Sequence, residues 1–162
     1  MKLAAPGRDV YVMVGDGSYL MMNSEIATSL MLGHKLTIVV LDNRGFGCIN
    51  RLQQACGSAP FNNLLDDCVQ GPDGAPTIDF AAHARSLGAH AVQVRTLPEL
   101  EAALHHARSA RRTCVVCIET DPHRTVDAGG WWWEVAVPEV SSRAEVRDAR
   151  AKYDQERQKQ EP

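Results

Sequence analysis

The stretches VYVMVGDGSYLMM (residues 10–22) and LTIVVLDNRGFG (residues 36–47) decide the fold of this chain of 162 residues. Each starts with an apolar, largely β-branched run that is followed by glycine beside acidic or amide residues, a pattern typical of a buried strand and the turn after it. Between the two strands we predict a helix from Leu20 to Leu32, because apolar residues recur every four positions there and Gly33 can end it. The two stretches together predict a strand–helix–strand unit.

The rest of the chain continues this alternation. Helix and strand patterns return after a long irregular segment over residues 44–76. The predicted strands are Val10–Val14, Leu36–Leu41, Ala89–Val94 and Val115–Glu119, and the further helices are Ile78–Leu87 and Thr96 to about Ala110. Strands this apolar are buried on both sides. The order therefore predicts an α/β fold, a parallel sheet with helices on both faces.

The alternating pattern stops after residue 120. We predict an α/β domain over residues 1–125 and a second segment over residues 126–162. The second segment contains Trp131–Trp133, too large an apolar surface to stay in water, and a highly charged helix that runs to about Gln158. Because this helix has only a thin apolar stripe, which includes Val146, we expect it to lie on the surface or against another chain.

The composition argues against several function classes. The net charge is −3, from 17 basic and 20 acidic side chains, and no basic run is interleaved with aromatic residues, so we expect no nucleic-acid partner. The apolar runs are far shorter than the roughly 20 residues that a membrane-spanning helix needs, so we expect no membrane partner.

Cys114 and Cys117 lie in an apolar strand that points them to opposite faces. We expect all five cysteines to be reduced structural thiols, which indicates the cytoplasm.

Polar groups follow the first two strands at the points where they end. Asp16 comes directly after the first strand and Asn43 directly after the second. Ligands of parallel α/β sheets bind beyond the carboxyl ends of the strands, and carboxylate, amide and backbone carbonyl oxygens suit Mg²⁺ or Ca²⁺. Gly15 and Gly17 allow a close approach of the backbone, and the following helix offers N–H groups to a phosphate. We predict that Asp16 holds a cation and that the cation holds a diphosphate.

Two other interpretations of this motif remain. A dinucleotide-binding GxGxxG loop would need glycine where Leu20 stands, and it has no use for a carboxylate at Asp16. In a plain strand-to-helix turn, Asp16 would be a helix cap and Asn43 a turn residue. The pair Asp42–Asn43 at the end of the next strand favours the metal site over the plain turn.

The motif of Gly15-Asp16-Gly17, a helix, a strand and an asparagine 27 positions after the aspartate resembles the cofactor motif of thiamine-diphosphate-dependent enzymes. That family usually ends the motif with two asparagines, where this chain has Asp42-Asn43. The likeness covers nearly the whole chain and includes the stretches GRDVYVMVGDGSYLMMNSEIATS, DNRGFGCINRLQ, DFAAHARSLGA, IETDP and WWWEVAVPEVS. It implies the thiamine-diphosphate-binding fold, incomplete at its N-terminus.

The resemblance also implies roles for particular residues. Asp16 and Asn43 would bind Mg²⁺ through their side chains and Gly45 through its carbonyl oxygen. Gly17 and Ser18 would offer backbone N–H groups to the diphosphate. Thiamine diphosphate and Mg²⁺ are therefore the expected cofactors.

The implied activity is hydrolysis of a carbon–carbon bond in an inositol-derived cyclic 1,2-dione, a step of myo-inositol catabolism that opens the ring to a deoxy-glucuronic acid. The family's catalytic glutamate lies in a separate N-terminal domain, and no residue of this chain, Glu25 included, is assigned a catalytic role. The first strand–helix part of the cofactor domain should lie before Met1. We therefore expect an incomplete enzyme that is inactive alone, that needs an N-terminal domain or partner chain to supply the glutamate, and that is a homo-oligomer when complete.

Two alternatives stay open at this point. The chain could be a non-catalytic fragment or remnant domain that folds without turning anything over. It could also belong to another thiamine-diphosphate enzyme, such as an acetolactate-synthase relative.

Overall fold

The computed structural model describes residues 1–68, 71–72, 74–124 and 136–159. Within these ranges each strand is followed by one or more helices. In chain order they are β1 (Tyr11–Gly15), α1 (Asp16–Met22), α2 (Glu25–Met31), β2 (Thr37–Asp42), α3 (Gly47–Ala55), a short 3₁₀ turn (Leu65–Asp67), α4 (Phe80–Ser86), β3 (His90–Val94), α5 (Leu97–Ser109), β4 (Cys114–Glu119) and α6 (Ala144–Gln158).

The four strands form one parallel sheet in the order β1-β2-β4-β3. Both faces of its central strands are buried. Ile38 and Val40 of β2 belong to an apolar cluster that includes residues of α1, α2 and α4, whereas Val39 is buried outside that cluster. Because α5 contacts β2, β3 and β4 and contributes nothing to the cluster, it covers the other face. The predicted parallel sheet with helices on both faces is confirmed.

The two edges of the sheet differ in their protection. On β3, Arg85 donates to the carbonyl oxygen of Ala91 at 3.0 Å, and directly after the strand Glu99 accepts from the backbone N–H of Arg95 at 2.7 Å. On β1, the side chains of Tyr11 and Met13 are 50 % and 70 % exposed. Charged side chains therefore cover the β3 edge, as is usual for free edges, and apolar side chains line the β1 edge. The prediction that the first strand is buried was wrong, since it is an edge strand.

The helix predicted from Leu20 to Leu32 is in fact two short helices. The first begins at Asp16, and the chain turns at Asn23 and Ser24 before α2. The Asn23 side chain donates to the carbonyl oxygen of Leu20 at 3.0 Å, which satisfies a group at the end of α1 and allows the break. The predicted end is confirmed, because Gly33 follows α2 with a φ of +66°.

The prediction that residues 44–76 are irregular is wrong in part, because this segment contains α3 and the 3₁₀ turn. Two of its glycines stand at helix ends. Gly47 begins α3, and Gly57 follows it with a φ of +81°, a conformation that glycine adopts at little cost.

The chain divides into two compact units. One comprises Met1–Gly45 and Pro76–Asp121 and contains the whole sheet, and the other comprises Phe46–Ala75 and Pro122–Pro162. The second unit has a small apolar cluster of its own, formed by Cys56, Val137, Val146, Ala149 and Tyr153. The charged helix α6 thus buries its thin apolar stripe within this unit.

Several predictions fall outside what the structure describes or tests. The Trp131–Trp133 run lies outside the described residues. The boundary between residues 125 and 126 stays a prediction.

All five cysteines lie in the described ranges and are free thiols. None of the helices described here combines the length and the apolar character needed to cross a membrane.

Candidate cofactor and metal site

The carboxyl ends of β1 and β2 bring Asp16 and Asn43 together. The two strands are neighbours, and Gly15 pairs with Leu41 in the parallel register. Asp16 therefore leaves the sheet at the same level as the turn after β2. Its side chain is only 3 % exposed. The predicted convergence of these two positions is observed.

Asp16 is bound to the turn after β2 by two backbone N–H groups. Asn43 N donates to Oδ1 of Asp16 at 3.3 Å, and Gly45 N donates to Oδ2 at 2.6 Å. This turn needs unusual backbone angles, because φ is +62° at Arg44 and +139° at Gly45. A left-handed arginine is uncommon and marks a constrained site. Asp42 supports the turn by accepting from Arg44 N at 2.9 Å.

The Asn43 amide faces the same point, and its oxygen and nitrogen can be exchanged by a half-turn. With the nitrogen toward the site, the amide donates to the Gly45 carbonyl oxygen at 2.9 Å and to Asp16 Oδ1 at 3.0 Å. With the oxygen in that position, the amide oxygen lies at these same distances from the other two oxygens, and no hydrogen links them.

These distances test whether the residues fit a magnesium ion. Mg²⁺ binds oxygen at about 2.1 Å with octahedral geometry, which separates adjacent ligands by about 3.0 Å. The Asn43 amide oxygen meets this spacing to both the carboxylate of Asp16 and the carbonyl of Gly45. All are hard oxygen donors of the kind that Mg²⁺ prefers. The three residues therefore fit the ion.

The electrostatics of Asp16 also favour a cation. Burial raises the pKa of Asp16 above its ordinary value of 3.8, and the nearby carboxylate of Asp42 raises it further. The N–H groups of Asn43 and Gly45 act in the opposite direction. A divalent ion beside the carboxylate would offset both the desolvation and the repulsion.

The start of α1 lies next to this point. Gly15 stands at the N-cap position without a side-chain cap, Gly17 is buried and Ser18 is exposed. The first N–H groups of a helix have no partner within it, so those of Gly17 and Ser18 are available to an acceptor. Glu25, to which no catalytic role was assigned, is exposed in the first turn of α2.

Sequence reasoning missed two contributors to the site. The left-handed backbone of Arg44 turns the N–H of Gly45 toward Asp16. The side chain of Asp42 both supports this turn and repels Asp16. The only sequence signal for either was the Asp-Asn-Arg-Gly run, which is typical of a turn but does not specify its dihedral angles.

Comparisons with known proteins indicate the family and the fold of this chain. Residues 1–118 match the family described as thiamine pyrophosphate enzyme, C-terminal TPP binding domain. Among solved structures, a thiamine diphosphate-dependent 4-hydroxybenzoylformate decarboxylase of Rhodococcus jostii RHA1 is similar with a TM-score of 0.64 and 22 % identity, over 74 % of this chain and 21 % of that one. A benzoylformate decarboxylase from Polynucleobacter necessarius gives a TM-score of 0.65 at 22 % identity, over 76 % of this chain and 22 % of the other. These two structures support the fold.

Curated relatives are more similar in sequence. A 3D-(3,5/4)-trihydroxycyclohexane-1,2-dione hydrolase of Geobacillus thermodenitrificans is 41 % identical over 92 % of this chain and 24 % of the relative. The protein of the same name in Bacillus subtilis is 35 % identical over 92 % of this chain and 23 % of the relative. The chain spans about a quarter of the length of these curated relatives. It belongs to the thiamine pyrophosphate enzymes, in the family of their C-terminal TPP-binding domain.

Proposed function

We propose that this chain is the C-terminal, cofactor-binding part of a thiamine-diphosphate-dependent hydrolase. The substrate of the whole protein is an inositol-derived cyclic 1,2-dione, and cleavage of its carbon–carbon bond opens the ring to a deoxy-glucuronic acid. The relatives support this proposal, since those carrying the dione-hydrolase name are 35–41 % identical over more than nine-tenths of the chain. Because the chain is about a quarter of their length, the activity is that of a longer protein.

The observation that carries the proposal is the convergence of Asp16, Asn43 and Gly45 at the spacing of magnesium ligands. The two side chains and the Gly45 carbonyl hold Mg²⁺. The N–H groups of Gly17 and Ser18 donate to the diphosphate.

This chain's contribution is to bind and orient the cofactor. Gly15 leaves room for the diphosphate, since a Cβ built there would meet no atom closer than 4.0 Å. When bound, thiamine diphosphate supplies the electron sink for breaking the carbon–carbon bond. The Asp16 carboxylate and the turn after β2 fix the ion, and through it the diphosphate.

The catalytic glutamate comes from another part of the complete protein. The open edge of β1 supports the existence of a further segment. Val10 O accepts from Thr37 N, so the alternation of a parallel strand directs the backbone groups of Tyr11 and Met13 away from β2. Together with their exposed side chains, these groups suit a further parallel strand from the same protein or from a partner chain.

The location and the assembly of the protein are also part of the proposal. The free thiols favour a reducing compartment, and we place the complete enzyme in the cytoplasm. We expect it to be a homo-oligomer.

Calorimetric titration of thiamine diphosphate with Mg²⁺ into the purified chain tests the proposal. We expect binding that disappears without Mg²⁺ and that weakens at least about 100-fold in Asp16→Asn, because a carboxylate ligand is lost. Asp9→Asn is the matched control, since Asp9 is an exposed acidic residue that precedes β1, at the opposite end of the sheet. Absence of binding, or equal binding by Asp16→Asn, would contradict the assignment. Product analysis with the complete protein would then test the substrate.

A further inference from the structure

Helix α1 carries part of the proposed site but has little to hold it in place. It is seven residues long and has no side-chain cap at its start. The apolar side chains in its second half, those of Leu20, Met21 and Met22, are 47 %, 67 % and 67 % exposed. The buried residues of α1 are Asp16, Gly17 and Tyr19. Tyr19 is therefore the one large side chain with which α1 is fixed to the apolar core of its unit.

Tyr19 is held on two sides by α4. Its hydroxyl lies 2.8 Å from Nδ1 of His83. Its ring meets the Phe80 ring edge to face at a centroid distance of 5.4 Å, and the His83 ring in the same manner at 5.7 Å. The side chain is 4 % exposed and belongs to the cluster that also contains Val40 and Cys117.

The hydrogen bond between Tyr19 and His83 can form whether or not Nδ1 of His83 carries a hydrogen. Burial raises the pKa of Tyr19 to about 12, with a further contribution from Cys117, so the phenol keeps its proton at neutral pH. It can donate to an unprotonated Nδ1 of His83 or accept from a protonated one. The bond therefore fixes the tyrosine ring whichever tautomer is present.

The position of Tyr19 determines that of Asp16, which stands three residues earlier, about one turn of the same helix. The Asp16 carboxylate must stay within reach of Asn43 N and Gly45 N, which lie at 3.3 Å and 2.6 Å. A small rotation of α1 would disturb both distances. We propose that Tyr19, anchored by His83, is a positioning residue that sets Asp16 against the turn after β2. This inference rests on the proposed function.

The test compares Tyr19→Phe, which keeps the ring and removes only the hydroxyl, with the wild-type chain. Affinity is measured calorimetrically for Mg²⁺ with thiamine diphosphate and for Mg²⁺ with inorganic pyrophosphate. We expect both to weaken about five-fold, since a buried hydrogen bond is worth up to about a factor of ten in an equilibrium. His83→Ala, which also removes the ring contact with Tyr19, should weaken binding at least as much. Adding Tyr19→Phe to His83→Ala should weaken binding no further, because the hydrogen bond is already lost.

Ser29→Ala controls for a general loss of stability. Ser29 is buried and bonds Thr113 at 2.8 Å, where β4 begins at the amino end of the sheet. Ser29→Ala should lower the resistance to urea about as much as Tyr19→Phe does. It should leave the affinities for Mg²⁺ with thiamine diphosphate and for Mg²⁺ with pyrophosphate unchanged. All titrations are run where urea curves show each variant fully folded.

The outcomes separate the inference from the proposed function. If Tyr19→Phe binds as tightly as the wild type, or if Ser29→Ala weakens binding equally, Tyr19 does not position the site. If the wild-type chain binds no Mg²⁺ with thiamine diphosphate, or Asp16→Asn binds as well as it does, the proposed function fails and this inference fails with it.

Discussion

Gly57 brings the end of α3 against the start of α6, and its replacement by alanine should separate them. A Cβ at this position would lie 2.3 Å from the carbonyl oxygen of Glu145 and 2.6 Å from the backbone nitrogen of Val146. Backbone atoms cannot rotate away as a side chain can. The start of α6 must therefore shift by about 1 Å, the difference between 2.3 Å and the 3.4 Å at which ordinary contact begins.

The cost of Gly57→Ala has two sources. Alanine at a φ of +81° costs about 1 kcal/mol. The shift of α6 also loosens Val146, which is 3 % exposed and whose full burial is worth about 1.5–3 kcal/mol. We therefore expect the free energy of unfolding of the second unit to fall by about 2–4 kcal/mol.

The measurement is urea unfolding followed by circular dichroism, together with limited trypsin digestion at the basic residues of α6. Gly74→Ala is the matched control, because Gly74 has nearly the same φ, +83°, and a Cβ there would meet nothing within 4 Å. It should cost only about 1 kcal/mol. The reasoning is refuted if the two variants unfold at the same urea concentration and are digested at the same rate.

Three further predictions concern other parts of the chain. Thr113→Val should lower the free energy of unfolding by about 1–3 kcal/mol in urea, because it leaves the buried hydroxyl of Ser29 without this partner; a change below about 0.5 kcal/mol would argue against it. Arg150 donates to Asp154 and lowers the pKa of that carboxyl below 3.8, so this contribution is complete above pH 3.8 and lost as the pH falls further. Asp154→Asn should remove this contribution, so that less helix signal is lost on acidification when circular dichroism is followed as the pH falls below 3.8. An unchanged acid transition would contradict this prediction. Met13→Lys should reduce self-association in analytical ultracentrifugation, because a charged side chain on the exposed β1 edge opposes edge-to-edge pairing. Unchanged association would contradict this prediction.

The sheet was predictable because its signal is local. Runs such as TIVVLD and CVVCIE are apolar and β-branched throughout, which only a strand buried on both sides requires. The identity of the edge strand was not predictable, because it depends on pairing between distant segments. VYVMV has the same composition as a central strand, yet Tyr11 and Met13 are half or more exposed.

The helices show the same limit. Ile26 is buried as the four-residue spacing indicated, but Met22, four positions earlier in the same predicted helix, is 67 % exposed. The reason is the turn at Asn23, whose side chain donates to the carbonyl oxygen of Leu20. The spacing of apolar residues does not predict such a side-chain hydrogen bond. Thr96, in contrast, with which the predicted helix begins, caps α5 by accepting from Glu99 N, because capping depends on neighbouring residues alone.

The geometry of the candidate site was predictable in outline and not in detail. Asp16 and Asn43 had to converge once their strands were neighbours in a parallel sheet. The position of the Gly45 backbone depends on the left-handed angle at Arg44, a residue type that seldom adopts it. Such backbone angles are set by tertiary contacts, so no local sequence pattern predicts them.

The most direct test of the central claim is a crystal structure of the chain with Mg²⁺ and thiamine diphosphate. We expect an ion about 2.1 Å from a carboxylate oxygen of Asp16, the amide oxygen of Asn43 and the carbonyl oxygen of Gly45, with diphosphate oxygens among its remaining ligands. An ion bound elsewhere, or an Asn43 amide that turns its nitrogen to Asp16 while the cofactor is bound, would contradict it.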